Sequence, residues 1–110
     1  MAAISQTIMQ TVKKAISENT VMIFSKSYCP YCTRAKDIFD DLDVDYKALE
    51  LNDHPEGPSI QQALQELTSQ KTVPNIFVNQ KHIGGYDALK SALDSGKLQT
   101  ILKNSPSAKL

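Results

Sequence analysis

The stretch Val21-Met22-Ile23-Phe24-Ser25-Lys26-Ser27-Tyr28-Cys29-Pro30-Tyr31-Cys32 changes character midway, and that change decides the fold. Val21 to Phe24 is an unbroken apolar run with β-branched and aromatic members, the composition of a strand buried on both faces. Ser25 to Tyr28 is a polar connection. From Pro30 the spacing turns helical, with Ala35, Ile38, Phe39 and Leu42 falling on one side. Pro30 suits the first helical position, where its missing N–H costs nothing. The pattern therefore predicts a strand running directly into a helix, with Cys29 at the junction.

Working outward, Val44, Tyr46 and Ala48 alternate with Asp45, Lys47 and Leu49, and the run reaches Leu51, which reads as a second strand. A helix between two strands implies a right-handed crossover and a parallel pair. Ile4, Ile8, Val12, Ala15 and Ile16 give residues 1–19 the apolar face of a helix. After a turn-rich loop, Ser59 with Gln62 forms a capping box for a helix that buries Ile60, Ala63, Leu64 and Leu67. Ile76-Phe77-Val78 and Lys81-His82-Ile83 flank Asn79-Gln80 as a hairpin, which ends at Gly84-Gly85. Asp87 caps a helix carrying Leu89 and Leu93 that stops at Ser95-Gly96, and a last helix holds Leu98, Ile101 and Leu102. The expected architecture is α/β, a mixed four-stranded sheet flanked by about five helices. It forms one domain over residues 1–110, with residues 105–110 a flexible polar tail.

Composition narrows the function. Twelve basic and twelve acidic residues cancel, leaving no field to hold a phosphate backbone, so nucleic acid is not an expected partner. No apolar run approaches the roughly 20 residues of a membrane span. Polar residues such as Gln6, Thr7, Lys13 and Lys14 interrupt any secretory signal near the start; an organellar presequence competes with the structural helix there, but Arg is absent.

The only two cysteines, Cys29 and Cys32, lie one helical turn apart. A bridge closing so small a loop adds little stability, so the pair reads as reactive or metal-binding rather than as a staple. A thiolate is the attacking species in disulfide exchange. Cys29, at the head of a helix, faces free N–H groups and the positive end of the dipole, and Lys26 adds charge. Cys32, inside the first turn, is placed to resolve a mixed disulfide formed on Cys29. The competing reading is half a zinc site completed by His54 and His82, although metal-binding pairs more often occupy loose turns.

Cys29-Pro30-Tyr31-Cys32, preceded by Lys26-Ser27-Tyr28, resembles the active site of the dithiol glutaredoxins, within the thioredoxin superfamily. Thr72-Val73-Pro74 and Gly84-Gly85-Tyr86-Asp87 resemble two further motifs of that family, so the similarity covers residues 8–102. The resemblance implies a thioredoxin fold and a glutathione-dependent thiol–disulfide oxidoreductase that reduces glutathione mixed disulfides and protein disulfides, with Cys29 and Cys32 catalytic. It implies a cis peptide between Val73 and Pro74, with the Val73 backbone facing the cysteinyl unit of glutathione and Thr72 and Pro74 beside it. It places the γ-glutamyl carboxylate on the Tyr86 and Asp87 backbone, with Gly85 allowing the close approach and the Asp87 side chain pairing with the ammonium, the glycyl carboxylate on Lys26, Gln61 and Lys71, and Tyr31 along the groove. Ser69 and Lys71 stand where relatives usually carry Gly and Arg, and Ala88 where many carry Asp; these departures point to altered affinity rather than lost chemistry.

Glutathione is thus the expected co-substrate, with no metal, and the partners are glutathionylated and disulfide-containing proteins rather than membranes. A monomer is expected. The alternative implied by the family is a carrier of a glutathione-ligated iron–sulfur cluster, although Pro30 resembles the members that usually do not bind one. A cytoplasmic location is expected, with a peroxisomal pool if Ala108-Lys109-Leu110 acts like a Ser-Lys-Leu address.

Overall fold

The computed structural model describes residues 5–104, so Ile4, the tail at 105–110 and the Ala108-Lys109-Leu110 triplet lie outside the described residues. In order, the elements are α1 (Gln6–Glu18), β1 (Val21–Ser25), α2 (Pro30–Asp41), β2 (Lys47–Glu50), a 3₁₀ turn (Leu51–Asp53), α3 (Gly57–Thr68), β3 (Asn75–Val78), β4 (Lys81–Gly84), α4 (Tyr86–Ser95) and α5 (Lys97–Lys103). The strands pair in the order β2-β1-β3-β4, with β1 parallel to β2 and antiparallel to β3, and β4 antiparallel to β3. This is the four-stranded mixed sheet with five α-helices of the thioredoxin fold.

Strand geometry sends alternate residues to opposite faces. Met22, Phe24 and Phe77 pack under α1 and α3 with Val12, Ile60 and Leu64, while Val21, Ile23, Ile76 and Val78 pack under α2, α4 and α5 with Phe39, Leu89 and Leu98. Every residue of β1 is buried, as its continuous apolar run requires. The Asn79-Gln80 turn, weak as a signal, closes because both residues take the left-handed conformation (φ 52° and 67°), matching the twist of the strands it joins. Among the described residues no helix is long and apolar enough to cross a membrane.

Three boundaries differ from the sequence reading. β2 starts at Lys47, not Val44: Asp43 turns left-handed (φ 58°), and the Val44 N–H closes the end of α2 on the Phe39 carbonyl (2.9 Å). Val44 and Tyr46 still pack on the core, so their alternation reports burial and not pairing. α3 starts at Gly57 with Glu56 as N-cap, which places Ser59 and Gln62 inside the helix and leaves no capping box. Leu67, expected in the core, is 40% exposed in the last turn of α3. α4 is capped by Gly85, and Asp87 lies in its first turn instead of at the cap.

The α3 boundary follows from packing. Gly57 is buried so closely under the 3₁₀ turn that a Cβ would collide with the Leu51 carbonyl oxygen, a rigid backbone atom. Gly57→Ala is therefore expected to cost about 1–3 kcal/mol, seen as a Tm several degrees lower in thermal denaturation. An unchanged Tm would contradict this packing.

Candidate active site

Cys29 is the N-cap of α2, with extended backbone (φ −90°, ψ 115°) and Pro30 following in the first turn. Its Sγ accepts the Cys32 backbone N–H at 3.3 Å, taking one of the amide hydrogens that a helix start leaves without a carbonyl. The loop leading to it is held twice. The Cys29 N–H donates to the Lys26 carbonyl (3.0 Å), and Asn52 beyond β2 accepts the Ser27 N–H (2.9 Å) and donates to the Ser27 hydroxyl (2.7 Å).

The two sulfurs occupy different environments. Cys29 is half-exposed, whereas Cys32 is fully buried against the sheet. Burial pushes the Cys32 thiol above its ordinary range and the neighbouring Cys29 sulfur adds to that, outweighing a backbone bond from Lys26 and the Ser25 hydroxyl. Cys32 is thereby held as a neutral thiol while Cys29 presents its sulfur to solvent at the positive end of a helix. Further along α2, Lys36 Nζ pairs with Glu50 Oε2 of β2 at 2.7 Å, both side chains partly exposed.

A groove of about 500 Å³ opens beside this helix start. Its walls are Tyr31, Thr72, Val73, Pro74, Gly85, Tyr86, Asp87 and Ala88. The Val73–Pro74 peptide is cis, and the Val73 carbonyl lies 4.0 Å from Cys29 Sγ. The Val73 N–H has no hydrogen-bond partner among the described residues. Gly84 takes a φ of 122°, which L side chains rarely adopt, and so turns β4 into α4, whose first N–H groups receive no side-chain cap. Tyr31 meets Tyr86 (ring centroids 5.7 Å apart) and carries Arg34 on its ring (5.3 Å), which fixes one rim.

Seven of the residues proposed for glutathione therefore share one groove. Gln61 and Lys71 do not line it. They meet in a separate depression of about 320 Å³, where Gln61 Nε2 donates to the Lys71 carbonyl (2.8 Å), and Lys26 lies on neither wall. His54 and His82 are engaged elsewhere. His54 Nδ1 accepts the Glu56 N–H (3.0 Å) and His82 Nε2 meets Asn75 Oδ1 (2.8 Å); among the described residues no three His, Cys, Asp or Glu side chains gather as a metal site requires. Asn52 and Gln70 escaped the sequence reading. Gln70 Nε2 donates to the carbonyls of both Thr72 (3.1 Å) and Pro74 (3.0 Å), the residues flanking Val73.

Residues 21–83 match the family model for glutaredoxin. A glutaredoxin of Ricinus communis is 46% identical over 94 residues, covering 86% of this chain and 92% of its own, and glutaredoxin-1 of Saccharomyces cerevisiae is 44% identical over 104 residues, covering 91% and 94%. The crystal structure of a buckwheat glutaredoxin–glutathione complex superposes with a TM-score of 0.89 at 39% identity, covering 91% of each chain.

Proposed function

The chain belongs to the glutaredoxin family and is a glutathione-dependent thiol–disulfide oxidoreductase, and on that premise we propose that Cys29 exchanges disulfides joining glutathione to other thiols while the groove beside it holds the glutathionyl group. The observation that carries this is the Cys29 sulfur, half-exposed at the head of α2 and 4.0 Å from the Val73 carbonyl at the groove wall. That the buckwheat relative was crystallised with glutathione supports the same ligand here.

The Cys29 thiolate attacks the glutathione sulfur of a glutathionylated substrate, and the substrate thiolate leaves and takes up a proton. A second glutathione, as its thiolate, attacks the glutathionyl sulfur on Cys29. Oxidised glutathione departs, and Cys29 leaves as the thiolate it was, eased by the α2 amides. For a protein disulfide, Cys29 first joins one substrate sulfur; Cys32 then loses its proton and attacks Cys29 Sγ, releasing the reduced protein. Two glutathiones reopen the Cys29–Cys32 bond. Electrons pass in each case from glutathione to the substrate disulfide.

The groove orients the glutathionyl unit so that its sulfur meets Cys29. The Val73 N–H and carbonyl pair with the cysteinyl backbone, the α4 amides at Tyr86 and Asp87 take the γ-glutamyl carboxylate, and the Asp87 carboxylate takes the ammonium. Lys26 and the Gln61–Lys71 pair are left to the glycyl carboxylate at the far end. Because Asp87 is exposed, its pair with the ammonium is screened, and Asp87→Ala is expected to raise KM for a glutathione mixed disulfide about threefold to tenfold with kcat little changed. Steady-state turnover with glutathione as reductant measures this, and an unchanged KM would remove Asp87 from the site.

A further inference from the structure

We propose that Gln70 is a positioning residue that sets the distance between the two halves of the groove, and thereby makes turnover selective for disulfides carrying a γ-glutamyl-cysteine unit over those carrying cysteine alone. The inference rests on the glutathione reading of the groove and names a residue that touches no part of the ligand.

Gln70 lies between the end of α3 and the loop before β3, half-buried and outside the groove walls. One amide nitrogen supplies both of its hydrogens to main-chain acceptors on either side of Val73, the Thr72 carbonyl at 3.1 Å and the Pro74 carbonyl at 3.0 Å. Both carbonyls are drawn to the same side-chain nitrogen, which pins the loop on either side of Val73, whose own amide has no hydrogen-bond partner among the described residues. The same side chain also backs the turn at 84–85. Its Oε1 lies 3.9 Å from where a Cβ on Gly84 would stand, its Nε2 3.9 Å from that of Gly85, and the Pro74 carbonyl 3.7 Å from the latter. Gln70 therefore fills the corner where the loop at 72–74 meets the turn at 84–85.

These two segments recognise different parts of the ligand. Val73 serves the cysteinyl backbone, and the amides after Gly85 serve a carboxylate several bonds away. A ligand spanning both gains from the second contact only when the spacing between segments fits it, because a preorganised pair of sites avoids the ordering cost of assembling them. A cysteinyl disulfide reaches only the first segment and does not sense the spacing. Gln70 thus acts on the difference between two substrates, not on the sulfur chemistry common to both.

The test compares Gln70→Met, which keeps the side-chain length but donates nothing, with the unaltered protein. The substrates are one thiol disulfide-linked to glutathione and the same thiol disulfide-linked to cysteine. The expected result is a fall of about tenfold in kcat/KM for the glutathionyl substrate, carried mainly by KM, and a change of less than about twofold for the cysteinyl one. Gln70→Asn, which keeps the amide but is too short to reach both carbonyls, is expected to show the same selective loss and serves if the Met variant folds poorly. Equal losses on both substrates would show a general structural role and overturn the inference. If Asp87→Ala lowers the preference for the glutathionyl substrate and Gln70→Met does not, the role of Gln70 alone falls. If neither lowers it, the groove assignment fails and the Gln70 role with it.

Discussion

Cys29→Ser is expected to abolish reduction of both glutathione mixed disulfides and protein disulfides, a loss on the order of 10³-fold or more in kcat/KM, because it removes the nucleophile itself. A serine hydroxyl does not ionise in the range where a thiol does. The same substitution leaves the fold intact. Cys29 Sγ acts as the N-cap of α2 by accepting the Cys32 N–H, and serine is among the best residues for that task. Stability should therefore stay within about 1 kcal/mol of the parent. Measured together, a Tm near the parent's and a lost activity assign the effect to chemistry. Substantial residual turnover in this variant would end the proposed mechanism.

Cys32→Ser separates the two reactions. Reduction of a glutathione mixed disulfide is expected to persist within about twofold, whereas protein-disulfide reduction falls by about 10²-fold or more, because only the second reaction requires Cys32 to attack Cys29. The structure explains why one residue can be divided in this way. The Cys32 backbone N–H, which holds the Cys29 sulfur, survives the substitution; the thiol, fully buried and kept neutral by that burial, does not. Parallel assays on the two substrate types decide the matter, and matching losses in both would show that Cys32 serves the Cys29 sulfur rather than resolving its adducts.

The junction of β1 and α2 was legible because its signals are local: an apolar run, a proline fit for a first turn, and a cysteine just before it. The start of α3 was not, because two start signals compete within three residues. Gly57-Pro58 prevails over Ser59 with Gln62 through the close approach of Gly57 to the Leu51 carbonyl, a contact between segments that no local pattern encodes. The start of β2 was misplaced for a related reason. Alternation marks which side chains turn inward, and Val44 and Tyr46 do so without a ladder partner.

At the site, the motifs around Pro74 and Gly85 were found by likeness to a family, and the structure sets both in the lining of one groove. Lys26 stood out for its nearness to Cys29 along the chain, which says nothing about the direction its side chain takes. A lone glutamine between a helix and a strand carries no periodicity, and the bonds of Gln70 depend on how the carbonyls of Thr72 and Pro74 turn. Asn52 was invisible in the same way, since its partner Ser27 lies across the parallel pair of strands.

In the proposed cycle the sulfur that caps α2 is also the atom that carries every adduct. Once it carries a glutathionyl or protein adduct it is a neutral, crowded sulfur, a poorer acceptor for the Cys32 amide than the attacking thiolate of the proposed cycle. Turnover and fraying of the first helical turn are thus coupled by one atom. A protein adduct on Cys29 is expected to weaken the bond that holds the Cys32 peptide at the stage when the Cys32 thiol is called on to attack.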